Sequence, residues 1–240
     1  MVTEPETILC VPGLWKDRPE LITSIARQSG GYLFAGRVLM HPGTKLAFEL
    51  EIEGPDPRLA KAFQAAGRHW VTAEDLARIE THTFVLYLVS TGGSRERAEA
   101  AMAAAAALLR AGGLAVKIES TGLAHSRATW LDLVERRHLL SAHKAFVVYV
   151  TGRDVYSCGM HNLGYRDAII QATAADDPVE LLRSFTFYEF SENPTIRSGE
   201  TFSLAPDAPA YRLLEEPCTL YDEASLFTNP FGMWRLEPRV

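Results

Sequence analysis

Cysteine is scarce in this chain, and the sequence has neither a basic stripe nor a long apolar run. The three cysteines, Cys10, Cys158 and Cys218, are odd in number and widely spaced, which argues against a disulfide framework and favours a reducing compartment. The 24 basic residues are scattered and the net charge is −6, so we expect no nucleic-acid partner. The longest apolar run, residues 100–109, is about half of a bilayer span, so we expect no membrane partner.

The first residues also lack the features of an export signal. Glu4 and Glu6 stand where a signal peptide is basic, and the first apolar run, residues 8–11, is too short for the core of such a signal. We therefore expect a soluble, cytoplasmic protein. The chain contains no complete catalytic triad, nucleotide-binding fingerprint or zinc-ligand set, so the sequence predicts no cofactor and no metal ion.

The hydrophobic patterning that is present predicts an α+β fold. Residues 45–53 alternate between apolar and charged, which is typical of a strand with one wet face, and they follow a first strand to form a hairpin. Residues 84–89 are apolar on both faces, so we expect a central strand. Residues 95–111 predict a helix capped by Ser94 and stopped by Gly112.

Residues 1–90 read as strand, helix, strand, strand, helix, strand, which is the split βαβ order of ferredoxin-like folds. An internal similarity between residues 84–87 and 146–149 suggests a second inner strand at 146–150 and two related halves. Residues 91–240 are less regular, with a helix at 179–185. Edge strands are expected at 201–204, 211–214 and 233–236. We predict one fused domain, 1–240, forming a mixed-sheet sandwich, because no Pro/Ser-rich linker divides it.

Residues 156–165, which follow the second apolar run, form the most suggestive stretch for chemistry. They belong to a predicted glycine-containing loop, residues 151–165, that is expected to border the main pocket and to display Ser157, Cys158, His161 and Asn162. Cys158 and His161 are three residues apart and could form a thiolate–imidazolium pair, which makes them the candidate catalytic residues. Ser157 and Asn162 are candidate ligand-binding residues of the same loop.

Structural explanations of these residues stay open beside the functional ones. A buried small cysteine next to a structural histidine accounts for the same spacing as a catalytic pair does. Cys-x-x-His is also half of a zinc site, but the chain has no second closely spaced pair. Glu119 and His125 follow the end of another predicted strand and could line a cleft, although polar residues gather at strand ends in any protein.

Three stretches together resemble a family of uncharacterised bacterial proteins known as a domain of unknown function. They are Cys-Val-Pro-Gly-Leu-Trp at 10–15, Gly-Gly-Leu-Ala-Val at 112–116 and Tyr-Ser-Cys-Gly-Met-His-Asn-Leu-Gly at 156–164. The resemblance spans most of the chain and implies no established catalytic residues.

Two classes of function follow from these patterns. The first is a non-catalytic module that binds a small ligand or a protein, favoured because no catalytic signature is complete. The second is a cysteine-dependent hydrolase or transferase that uses Cys158 and His161. The aromatic-rich end of the chain is expected either to pack on its own sheet or to expose an apolar patch for a homodimer.

Overall fold

The computed structural model describes residues 4–136 and 138–239 and confirms the α+β class. Its first sheet has the strand order β2-β3-β4-β5-β1-β6-β7, and all neighbours are antiparallel. The strands are β1 (Glu6–Gly13), β2 (Leu33–Ala35), β3 (Val38–His41), β4 (Leu46–Glu53), β5 (Phe84–Thr91), β6 (Ala115–Ile118) and β7 (Leu123–Ser126).

Strand β5 is the central strand of this sheet, as the sequence predicts. Leu86 and Leu88 on one face and Val85 on the other are all inaccessible to solvent, because helices cover both faces at this position. The expected hairpin is also present, and a turn at Gly36 divides its first arm into β2 and β3.

A ferredoxin-like strand order is not shown for the first half. A split βαβ unit would insert β1 between β4 and β5, whereas β4 and β5 are direct antiparallel neighbours and β1 lies beyond β5. The reason is that two helices, α2 (Leu59–Ala66) and α3 (Ala73–Glu80), connect these strands. The two short helices pack against each other and return the chain to the end of the sheet that it left. The strands β4 and β5 therefore run antiparallel and can pair directly.

Four helices cover the face of the first sheet that carries Leu86 and Leu88, and the region beside that face. They are α1 (Arg18–Gln28), α4 (Arg95–Arg110), α5 (Arg127–Arg136) and α6 (Ser141–Phe146). The Ser94 hydroxyl accepts a hydrogen bond from the backbone N–H of Arg97, which confirms the predicted cap of α4. Because α4 buries mainly alanine, it lies close to β1 and β5.

The second sheet is mixed and has the order β11-β12-β13-β10-β9-β8, with β10 and β13 parallel. Its strands are β8 (Val148–Val150), β9 (Asp154–Cys158), β10 (Asp167–Gln171), β11 (Thr201–Ser203), β12 (Ala210–Glu216) and β13 (Met233–Pro238). Helix α7 (Pro178–Glu192) packs on this sheet through Leu181, Leu182 and Phe185.

The prediction of an inner strand at residues 146–150 is wrong. Ala142, Ala145 and Phe146 are spaced i, i+3, i+4 and are buried as one face of α6, so only three residues remain for β8, which lies at the sheet edge. The similarity to residues 84–87 therefore does not reflect two like halves. Residues 211–214 and 233–236 are strands as predicted, but they lie inside the sheet and not at its edge. The strand β10, which pairs with β13, was not predicted.

Candidate functional site

Residues 156–165 do not form the expected open loop. The chain runs from β9 through Gly159 into a single 3₁₀ turn, Met160–Leu163, and then to β10. Gly159 has a φ of 120°, and a Cβ on it would lie 2.1 Å from the carbonyl oxygen of Phe146. Only glycine fits this close approach, so the segment is held against the rest of the molecule.

Asn162 joins the two sheets through a fully satisfied side chain. Its Oδ1 accepts hydrogen bonds from Thr7 Oγ1 at 2.7 Å and from Ser120 Oγ at 3.0 Å. Its Nδ2 donates to the backbone oxygen of Gly159 at 3.1 Å. The backbone oxygen of Asn162 accepts a hydrogen bond from Gly93 N at 3.1 Å. The side chain is inaccessible to solvent, so this geometry gives Asn162 a structural role.

Asp167 is the centre of a second buried network beside Asn162. Its Oδ1 accepts from Ser157 Oγ at 2.9 Å and from Met160 N at 3.2 Å, and its Oδ2 accepts from Asn229 Nδ2 at 2.7 Å. His161 Nδ1 lies 3.8 Å from Asp167 Oδ2, which is beyond hydrogen-bond distance. Within the described residues His161 Nδ1 has no hydrogen-bond partner.

Cys158 lies in the same buried region but is not paired with His161. Its thiol is 2 % exposed and donates to the backbone oxygen of Ser120 at 3.9 Å. Burial raises the pKa of the Cys158 thiol well above its usual range. Among the hydrogen bonds of the described residues none joins Cys158 to His161, so the thiolate–imidazolium pair is not shown. Catalytic roles for these two residues stay a prediction.

The remaining two candidates lie elsewhere. His125 belongs to β7, where its Nε2 lies 2.8 Å from the backbone oxygen of Ala145, and burial lowers its pKa to about 4. Glu119 forms an ion pair with Lys117. The structure thus brings together Ser157, Cys158, His161 and Asn162 but not Glu119 and His125. Ligand-binding roles for these residues stay predictions too.

The aromatic-rich end of the chain packs on its own protein. Asn229, which is buried, fixes residues 217–232 to Asp167, and Phe227 lies against Gly122. Trp234 is buried in β13. Beside this segment is a groove of about 420 Å³ that is open to solvent and lined by Arg166, Glu215, Glu216, Pro217, Cys218, Asn229, Pro230, Phe231 and Gly232.

A more enclosed cavity, which sequence reasoning missed, lies beside helix α4. It has a volume of about 630 Å³ and is formed by α4, α5, the start of α6 and the residues that follow α1. Its lining has apolar and polar parts of similar extent. The apolar wall consists of Met102, Ala103, Leu133, Val134 and Ala142. The polar part consists of Ser29, Tyr32, Arg95, Glu99, Arg110, Glu135, His138 and Ser141.

The polar groups of this helical cavity are already ordered by contacts with the protein. Arg95 Nε donates to Glu99 Oε1 at 2.8 Å, and its guanidinium lies 5.5 Å from the ring centre of Phe190. Arg110 Nη2 donates to Glu135 Oε1 at 3.3 Å. Burial raises the pKa of Tyr32, and the positive charge of Arg110 opposes this shift.

One sequence feature could have indicated this cavity. Helix α4 is apolar around much of its circumference, and a helix that is apolar beyond its sheet-facing side needs a second partner. Ala103 is only half-buried although its neighbours Met102 and Ala104 are buried, because it faces the cavity. The missing information was which helices surround α4.

No helix within 4–136 and 138–239 is long and apolar enough to span a bilayer. In the same ranges no three His, Cys, Asp or Glu side chains are grouped as a metal site would require. Comparison with known proteins found no matching family model, curated protein or solved structure, which is consistent with the resemblance to an uncharacterised family.

Proposed function

We propose that the protein is a non-catalytic binding protein for a small molecule and that its site is the helical cavity. The observation that carries this proposal is the combination of a partly enclosed volume of about 630 Å³, an apolar wall and an equally extensive polar lining in which Arg95 and Arg110 are held by glutamates. Small-molecule sites have this size, and they combine apolar surface for affinity with polar groups for orientation.

The buried polar residues in and beside the 3₁₀ turn support this proposal because their polar groups already contact other groups of the protein. Asn162 and Asp167 use their oxygens on protein donors, and Cys158 is a buried neutral thiol. A cysteine nucleophile needs access and thiolate character. The binding function is therefore favoured over the cysteine-dependent hydrolase or transferase.

The cellular setting is part of the same proposal. Three free thiols support a reducing, cytoplasmic location, and a homodimer remains a prediction to which we assign no surface.

A fluorescent apolar molecule tests the proposed site. N-phenyl-1-naphthylamine, which is neutral, should bind with increased emission because the apolar wall excludes water from its rings. Ala103→Phe should abolish this binding by filling the cavity. Ala62→Phe is the matched control, since Ala62 is a half-buried alanine of α2 outside the cavity. Equal binding by both variants would contradict the proposal.

A further inference from the structure

The polar lining of the helical cavity indicates the chemical class of its ligand. Two arginines and two glutamates contribute charge, and they are not equivalent. Arg95 is committed to Glu99 at 2.8 Å and stacks on Phe190. Arg110 makes one contact of 3.3 Å, and among the described residues Glu135 is its one acceptor. Arg110 is thus the more loosely held of the two cations, and its unused N–H donors are available to a ligand.

Glu135 can give way to such a ligand. Its side chain is 65 % exposed, so it can move into water without losing solvation. Ion pairs between exposed side chains contribute only about 0–1 kcal/mol, so a ligand anion that also buries apolar surface competes with this glutamate effectively.

Two neutral donors lie in the same lining as Arg110. The backbone N–H of Leu140 donates to His138 Nδ1 at 3.2 Å, so in a neutral ring the hydrogen is on Nε2, which can donate to a ligand. Among the described residues no hydrogen bond is made by the hydroxyl of Tyr32, which lines the cavity. Arg110, His138 and Tyr32 therefore offer hydrogen atoms to an acceptor.

We infer that the cavity selects an amphipathic anion, with a carboxylate or sulfonate on Arg110, Tyr32 and His138 and an apolar body against the wall of Met102 and Leu133. This inference rests on the proposed function, because it specifies the ligand of the same site. A guanidinium matches the planar, two-oxygen face of such a head group, and the half-exposed position of Arg110 lets the head group keep part of its hydration.

Two dyes that share one ring system test the inference. N-phenyl-1-naphthylamine is neutral, and 8-anilino-1-naphthalenesulfonate carries an added sulfonate. The sulfonate dye should bind about tenfold more tightly, the increment expected of one charge-assisted hydrogen bond. Arg110→Gln should weaken binding of the sulfonate dye about tenfold more than binding of the neutral dye, which removes the difference between them. Glu135→Gln should tighten the sulfonate dye several-fold, since it frees Arg110.

Arg78→Gln is the matched control, because Arg78 is the last-turn arginine of α3 as Arg110 is of α4, and it lies outside the cavity. Binding of the neutral dye without preference for the sulfonate would overturn the inference and leave the proposed function standing. Binding of neither dye would overturn the proposed function. If Arg110→Gln did not fold, two other variants would still test the inference. Glu135→Gln should bind the sulfonate dye more tightly, and Tyr32→Phe should bind it more weakly.

Discussion

Glu189 of α7 is the residue whose ionisation most directly opposes folding. It is 5 % exposed, its Oε1 accepts from Trp234 Nε1 at 2.8 Å, and its Oε2 has no hydrogen-bond partner within the described residues. Burial raises the pKa of Glu189 to about 8, assisted by Asp167 and opposed by Trp234 and Arg166. The folded protein therefore holds this proton where the unfolded chain releases it.

The sign of the resulting pH dependence follows from proton linkage. Between pH 4.5, the usual pKa of the group, and about 8 the unfolded chain binds fewer protons at Glu189 than the folded protein does. The free energy of unfolding should fall by up to about 1.4 kcal/mol per pH unit in this range from this residue alone. Glu189→Gln should remove that decrease, and the exposed Glu192→Gln should not. Urea unfolding at pH 5 and pH 8 measures both slopes, and parallel slopes for all three proteins would contradict the account.

Cys158 gives a second test at the scale of a residue. Because its thiol is buried and neutral, iodoacetamide at pH 7.5 should modify the half-buried Cys218 first and reach Cys158 only on unfolding. Peptide mass spectrometry after a timed reaction measures the order. Faster alkylation of Cys158 than of Cys218 would instead support the cysteine-dependent enzyme.

At the scale of the element, the positions of β5 and β8 predict different tolerance of charge. Leu86 is inaccessible in the central strand, so Leu86→Asp should bury an unpaired carboxylate, cost several kcal/mol and prevent folding. Val148 is half-buried in the edge strand, so Val148→Asp should lower stability but leave a folded protein. Thermal unfolding followed by circular dichroism separates the two. A cooperative transition for Leu86→Asp would show that β5 is not the core strand.

The same two strands show how far local sequence predicts this fold. The cap at Ser94 and the both-sided apolar pattern of β5 are local signals, and they predict the elements correctly. Strand order depends instead on contacts distant in the chain, such as the parallel pair of β10 with β13 across more than sixty residues. Residues 146–150 were mistaken for an inner strand because a short apolar run fits a helix face equally well.

The candidate site was less predictable for the same reason. Sequence reasoning found the neighbours Ser157, Cys158, His161 and Asn162 because they share one short segment. It could not foresee that Ser157 bonds to Asp167 and that Cys158 and Asn162 bond to Ser120, or that three helices and the residues after α1 surround a cavity.

At the scale of the whole molecule, two regions have contrasting properties. The contact between the sheets includes buried hydrogen bonds from Thr7 and Ser120 to Asn162, and Asp167 forms a second buried network beside it, which favours a rigid scaffold. The helical cavity has an apolar wall, and the hydroxyl of Tyr32 and part of the Arg110 guanidinium are left without partners among the described residues. A rigid body with one adaptable, half-apolar cavity is suited to binding more than to chemistry.

The most direct test of this account is to locate a bound molecule by NMR with ¹³C-methyl-labelled alanine and methionine. On titration with N-phenyl-1-naphthylamine, the methyl signals of Met102, Ala103 and Ala142 should shift together and saturate at one equivalent, because their side chains line the cavity. Signals of Ala62 in α2 and Met233 in β13 should stay in place. Unshifted signals for Met102, Ala103 and Ala142, or a shift at Met233 instead, would contradict the central claim that the helical cavity is the binding site.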